Sequence, residues 1–476
     1  GCTTATRTEV MATLHEVPSA ITGTTDINVG TNAILSSTPV GGTWSTSNEA
    51  VVMIDHVTGE VTGVSAGNAV VTYTLPTGCF VSTIVNVSLN EFTKSLPIGW
   101  SWFSTNVVSA DMSLASVLSG CAADGNYIKD QFTSATYFDG FGWFGYLTAI
   151  DPSRMYKINT ANSCTINFAG TPVGVSNSID LVTGWNWIGF LPQNELDINS
   201  ALSSLSLTEL DYIKNQINSA TYFEGFGWFG YLTEMVPGEG YMIRLATPGT
   251  LIYPDIPANK SASVKKGFST EQFNPSDFEY NASISAGVVE NEKFTVSEGD
   301  ILIAYVNDQV RGIVPGLRFE PTGKYVFPIM VHSNKEGEII EFKYLEAKED
   351  KLYNCVEKIE FKSDMVIADA INPFKLNVAL NSNDDLAATD IGLKLSCYPN
   401  PFTGMVSIEY FVPYRSLVRL TIYDSYGRVM KQSENQTEEP GYKLTQWVSG
   451  EQPEGIYIIH LQIGEQVSVK KLTLVR

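Results

Sequence analysis

A segment of fifteen residues occurs twice in this chain with a single change. Ser134-Ala-Thr-Tyr-Phe-Asp-Gly-Phe-Gly-Trp-Phe-Gly-Tyr-Leu-Thr148 returns as Ser219–Thr233, with Asp139 replaced by Glu224. The offset of 85 residues also maps Gly99-Trp-Ser-Trp102 onto Gly184-Trp-Asn-Trp187, Tyr127-Ile-Lys129 onto Tyr212-Ile-Lys214, and Tyr156 onto Tyr241. The alignment needs no gap, so residues 91–174 and 175–258 are two copies of one unit, each with its own hydrophobic face to bury. Each copy reads as mostly β with one short helix. Leu114, Val117 and Leu118 fall at helical spacing, as do Ile198, Ala201, Leu202 and Leu205.

The aromatic segment Phe141-Gly-Trp-Phe-Gly-Tyr146 places glycine where the chain turns or another backbone comes close. Two readings of its side chains compete. In one, Tyr137, Trp143 and Tyr146, with Tyr222, Trp228 and Tyr231, are exposed platforms for a sugar ring or a partner surface, since aromatic faces bury much apolar area at low entropy cost. In the other, more economical reading they fill the core of a small domain poor in Leu and Ile. Asp139 and Glu224 leave one carboxylate per copy, which suits a solvated turn.

Composition narrows the function classes. Of 476 residues, 43% are apolar and 17% charged, and the formal charge is -21 with a pI near 4.6. Residues 1–255 hold only 7 Lys/Arg against 21 Asp/Glu and are rich in Thr, Ser, Asn, Gly and aromatics, a composition suited to extracellular β-structure. The charge pattern changes near Ile256–Lys260, which marks a boundary. So acidic a chain is repelled by phosphate backbones, so no nucleic-acid partner is expected. No apolar run reaches the length of a membrane span. The four histidines are far apart, no CxxC spacing exists, and no metal or cofactor is expected. GxSxG, HExxH and P-loop patterns are absent, and Gly140–Gly145 runs into aromatic β-like sequence rather than a helix that could cradle phosphate, so the chain is not expected to be an enzyme.

Residues 17–90 alternate short β-branched runs with turn signals at Gly41-Gly42, Thr58-Gly59 and Ala66-Gly67. Strands are expected at Ala50–Ile54, Val61–Val64, Val70–Leu75 and Val81–Val87. The stretches Gly42-Thr-Trp-Ser-Thr-Ser-Asn48, Gly59-Glu-Val-Thr-Gly63 and Ala66-Gly-Asn-Ala-Val70 resemble the bacterial Ig-like domain of group 2, which occurs in tandem on bacterial surface proteins. The resemblance implies a spacer. Asn28 stands where many relatives carry a cysteine, so no disulfide is expected inside this domain. Gly1-Cys2 echoes Gly78-Cys79, and residues 1–16 read as the last strand of a preceding copy.

Residues 259–387 read as another β-sandwich module. Ala282, Ile284, Ala286 and Val288 alternate as in a half-buried strand, and further strands are expected at Asp300–Val306, Tyr325–Val331, Glu338–Leu345 and Lys358–Phe361. The run Gly299–Gly312 is similar to a sandwich module of surface proteins of the Bacteroidetes. Asp300, Asp308 and Arg311 are better explained as a surface strand pair than as a polar site.

Residues 388–476 open with Tyr398-Pro399-Asn400-Pro401-Phe402. An Asp424-x-x-Gly427 turn, a Gly455-x-Tyr457 strand and a last strand beginning Lys470-Lys471 follow in order. This arrangement resembles the type A C-terminal sorting domain of the type IX secretion system. It implies a seven-strand Ig-like sandwich that binds the secretion machinery and carries the chain to the outer cell surface or the medium.

Of six cysteines, Cys121 and Cys164 both lie in the first repeat, and their counterparts in the second are Ser206 and Gly249. A pair present in one copy only is expected to be a disulfide. The fold class that results is mainly β: tandem Ig-like sandwiches with a duplicated aromatic-rich β-repeat carrying short helices. The expected function is that of the C-terminal part of a secreted adhesin or fibrous surface appendage. Its Ig-like domains would form the stalk and its aromatic repeats the adhesive or assembly modules, with a glycan or cell-surface ligand or a homo-oligomer as partner. The alternative is a non-catalytic accessory region of a secreted polysaccharide-degrading enzyme.

Overall fold

The computed structural model describes residues 15–254, 273–290, 293–348, 351–379 and 395–475, the last apart from 413–415, 434–435, 439–440, 451 and 464–465. Residues 1–14, with the expected strand of a preceding copy and Cys2, and the polar linker at 381–385 lie outside the described residues. The described chain is mainly β, with about 55% of residues in strands, and has two single-turn α-helices, Leu114–Val117 and Ile198–Ala201, at the positions of helical spacing. Its contacts separate into two compact units.

The first unit contains a sandwich of two sheets. One holds Asp26–Asn28, Phe80–Ser88, Gly67–Thr74 and Thr43–Thr46, the other Asn32–Ile34, Glu60–Gly63 and Val52–Ile54. The alternating apolar residues of each strand meet in one core, where the Trp44 and Tyr73 rings lie 4.7 Å apart among Val52, Val61, Val71 and Val85. Segments Val107–Met112 and Asn167–Val173 of the first aromatic repeat also belong to this unit.

The second unit holds the rest of the repeats, the 273–379 module and the C-terminal sandwich. Both repeats build the same five-stranded sheet. In the first its order is Gly142–Gly145, Ser134–Phe138, Tyr127–Lys129, Tyr156–Thr160 and Gly99–Phe103. In the second it is Gly227–Gly230, Ser219–Phe223, Tyr212–Lys214, Gly240–Leu245 and Gly184–Gly189. The GWxW motifs form the strand at one edge, and the aromatic hairpin forms the other. Cys121 and Cys164 are disulfide-bonded, with Cα atoms 5.2 Å apart, closing a loop over the first repeat only.

The repeats exchange equivalent contacts. Gln131 of the first donates through Nε2 to the Trp185 carbonyl and accepts from the Trp187 amide at 2.9 Å each. Gln216 of the second does the same with the Trp100 carbonyl at 2.9 Å and the Trp102 amide at 3.0 Å. Between these strands Lys157 is fully buried, its ammonium 4.2 Å from the Trp102 ring centre and 4.7 Å from that of Trp187. Burial pushes the Lys157 ammonium down to about 7, although the indole faces favour its charged form.

In the 273–379 module the strand Tyr280–Glu290 departs from the half-buried expectation. Its apolar residues enter the sandwich core, yet Asn281, Ser283 and Ser285 are also buried. The second repeat reaches the first two of them. Lys214 Nζ donates to Asn281 Oδ1 at 2.8 Å and to Asp364 Oδ1 at 2.6 Å, and Asn281 Nδ2 donates to the Gln216 carbonyl at 3.0 Å. Period-two alternation records polarity, and polar side chains can be buried where a neighbour supplies partners. Asp300 and Arg311 are likewise not on the surface. Asp300 is buried, accepting from Tyr344 Oη at 2.5 Å and the Ser297 amide at 2.7 Å. Arg311 is buried against Glu338 at 3.3 Å, and Asp308 sits apart in a hairpin turn at φ 61°.

Candidate functional site

The duplicated hairpin places its aromatics on two faces because successive strand residues point opposite ways. Tyr137 and Trp143 pair across the strands on one face, as do Tyr222 and Trp228. Each couple packs edge to face, with ring centres 5.4 and 5.5 Å apart. These four side chains are half-buried, and both indole nitrogens are covered, with no hydrogen-bond partner. This is intradomain packing rather than a flat platform. Tyr146 and Tyr231 follow the hairpin and differ sharply: Tyr146 is 92% exposed, whereas Tyr231 packs against the 273–379 core and donates to the Pro315 carbonyl at 3.1 Å. Burial pushes the Tyr231 hydroxyl well above its ordinary value. Tyr231 is therefore not an open contact residue, which corrects its place in the exposed-platform reading.

The other hairpin face carries phenylalanines that the sequence reading passed over. Phe138 is 44% exposed, Phe141 91% and Phe144 76%, while their counterparts Phe223, Phe226 and Phe229 are 2%, 42% and 6% exposed. The signal was present in the duplicated Phe-x-x-Phe-x-x-Phe spacing, but nothing local distinguishes the copies. A cleft of about 280 Å³ lies between the repeats, lined in part by Gln131, Phe132, Asp151, Arg154, Asp180 and Trp187. Arg154 bonds Asp130 at 2.8 Å. Burial of the Asp130 carboxyl opposes ionisation, but the amides of Phe132 and Thr133 and the Arg154 guanidinium outweigh it and hold the carboxyl below its usual value. Among the described residues no cluster of His, Cys, Asp or Glu could hold a metal ion.

The C-terminal sandwich explains its own motif residues. Its sheets are Leu395–Tyr398, Met405–Val412 and Gly441–Val448 on one side, and Val429–Gln432, Ser416–Asp424, Gly455–Ile463 and Gln466–Leu474 on the other, with Gln436–Glu438 paired to Ser416–Asp424. Pro399 and Pro401 bracket Asn400, whose side chain clamps the last strand. It donates to the Lys471 carbonyl at 2.8 Å and accepts from the Thr473 amide at 2.9 Å. Phe402 follows into the core, its amide bonded to the Thr473 carbonyl at 3.0 Å. Asp424 accepts from the amides of Tyr426 and Arg428 at 2.9 Å each, and Gly427 supplies the turn at φ 79°. Gly455, at φ 150°, starts the strand that buries Tyr457, whose hydroxyl donates to the Pro453 carbonyl at 2.7 Å. Lys470 and Lys471 stay exposed on the closing strand.

These residues define a known signal. Residues 396–475 match the family of secretion system C-terminal sorting domains. The chain is type IX secretion cargo. Its sorting domain implies contact with that machinery and sends the chain to the cell surface or extracellular space. No helix among the described residues is long and apolar enough to cross a membrane. No curated protein matches the chain. Among solved structures it is similar to dimeric latent PorU from Porphyromonas gingivalis, at 11% identity and a TM-score of 0.17, covering 86% of this chain and 32% of that one. It is also similar to PorZ, a surface component of the type IX secretion system of the same organism, at 9% identity and a TM-score of 0.15 over 74% and 68% of the two chains. The chain thus spans about a third of the first of these.

Proposed function

We propose that the chain is a non-catalytic part of a surface adhesin or fibrous appendage, with Ig-like sandwiches as spacer and the aromatic repeats as adhesive or assembly modules. The observation that carries this reading is the exposed aromatic face of the first repeat, where Phe141, Phe144 and Tyr146 are 91%, 76% and 92% exposed on a chain bearing an export signal. Apolar side chains grouped in this way on a secreted protein are expensive to leave in water and mark contact surfaces. Electron microscopy of native cells, labelled with an antibody to residues 91–258, tests it. Fibres or dense label at the surface support it. Label in the medium without fibres would overturn it, and would direct attention to the accessory region of a secreted enzyme.

A further inference from the structure

The second repeat supplies a template for what the first repeat's hairpin binds. Phe319 ends the strand Leu317–Phe319, one arm of a β-hairpin in the 273–379 module, and seats itself on the second repeat. Its ring centre lies 4.7 Å from Phe223, 4.8 Å from Phe229 and 5.2 Å from Phe226. Leu317 and Val326 close the sides of this cluster, and Tyr231 Oη bonds the Pro315 backbone just before the hairpin.

The first repeat holds the same receptor in the same local geometry. Phe138 pairs with Gly142 and Tyr137 with Trp143, as Phe223 pairs with Gly227 and Tyr222 with Trp228. The Phe141 amide bonds the Phe138 carbonyl at 3.0 Å, matching Phe226 on Phe223 at 3.1 Å. The turn amide of Asp139 bonds Asp124 Oδ1 at 3.2 Å, matching Glu224 on Glu209 Oε2 at 2.7 Å. The receiving surface is therefore preformed and costs little to order on binding. What differs is the cover: Phe138, Phe141, Phe144 and Tyr146 face solvent.

We propose that this face docks a β-hairpin of another protein, with a phenylalanine at the last strand position before the turn and aliphatic residues beside it, in the manner of Leu317, Phe319 and Val326. The chain's own Phe319 is 1% exposed and already engaged, so the occupant comes from a separate molecule. The proposal rests on the reading of the repeats as assembly modules and names the partner's chemistry.

The probe is a cyclised peptide of residues 316–327 with 4-fluorophenylalanine at position 319, titrated into the full chain and observed by fluorine NMR. Saturable binding is expected, with a dissociation constant of roughly a millimolar or below, weakened about tenfold or more by Phe144→Ser. The same loss is expected for an unlabelled peptide carrying serine at position 319, read by its failure to displace the fluorinated peptide, a control that leaves the protein unaltered. Binding that Phe144→Ser leaves unchanged, or no binding, overturns the proposal. A dimer in sedimentation that Phe144→Ser dissolves also overturns it, because the occupant is then a second copy's own face. Surface label by microscopy in the Phe144→Ser strain is read separately, so failure of this docking is distinguishable from failure of surface display.

Discussion

The two repeats hold one hairpin in opposite circumstances. In the first, Phe144 is 76% exposed; in the second, the equivalent Phe229 is 6% exposed beneath Phe319. Strand pairing, turn bonds and the Tyr–Trp couples are the same in both. Local sequence therefore sets the shape of this surface, and the neighbouring module decides whether it is core or contact. The largest expected effect follows from that difference. Phe229→Ala should destabilise the chain by about 3–5 kcal/mol, as loss of a buried phenylalanine does, whereas Phe144→Ala should stay within about 0.5 kcal/mol. Urea unfolding of the two variants, side by side, decides it. Equal losses would mean that Phe144 is covered in solution.

The repeats are also tied down by different means. The second is held to the 273–379 module by Lys214, which is buried and bonded to Asp364 at 2.6 Å and Asn281 at 2.8 Å. Burial lowers the Lys214 pKa, and Asp364 opposes that shift. The first repeat has the equivalent Lys129 paired with Glu279 of the same module, both side chains about one-fifth exposed, and in addition a disulfide between Cys121 and Cys164, 43 residues apart. A crosslink over a loop of that length restricts the unfolded chain by about 2–4 kcal/mol. The Cys121→Ala/Cys164→Ala variant should lose stability of this order. Hydrogen exchange should rise at Tyr127–Lys129 well before Tyr212–Lys214. Exchange rising equally in both strands would show that the two repeats unfold as one body.

Much of this was legible in the sequence. The offset of 85 residues fixed two equal sheets, the single-copy cysteines are bonded, and the Tyr-Pro-Asn-Pro entry and Asp-x-x-Gly turn lie where a sorting domain needs them. What stayed hidden depends on pairing between elements far apart in the chain. Asn281 and Ser283 look like a solvent face until the second repeat covers them, and Tyr231 looks like Tyr146 until Pro315 accepts its hydroxyl. The role of Gln131 and Gln216 as reciprocal bridges was equally invisible, because a lone glutamine in a turn has no periodicity to betray it.

Lys157 sharpens the comparison at one buried position. Its counterpart in the second repeat is Met242, so one copy places an ammonium in the shared tryptophan cluster and the other a thioether. Burial lowers the Lys157 pKa from 10.5 to about 7. Between those two values the unfolded chain binds a proton that the folded chain does not, so this residue makes stability rise with pH across that window and leaves it lowest below about 7. Lys157→Met should therefore flatten the pH dependence of the unfolding midpoint between pH 7 and 10. At pH 7 it should stabilise the chain by about 1–2 kcal/mol, since a methionine of similar length avoids the burial of a charge. Thermal unfolding of both proteins across that range measures the slope and the offset together. A variant less stable than the parent at pH 7, with no slope in either, would mean that the faces of Trp102 and Trp187 hold the ammonium charged and more than offset its loss of water.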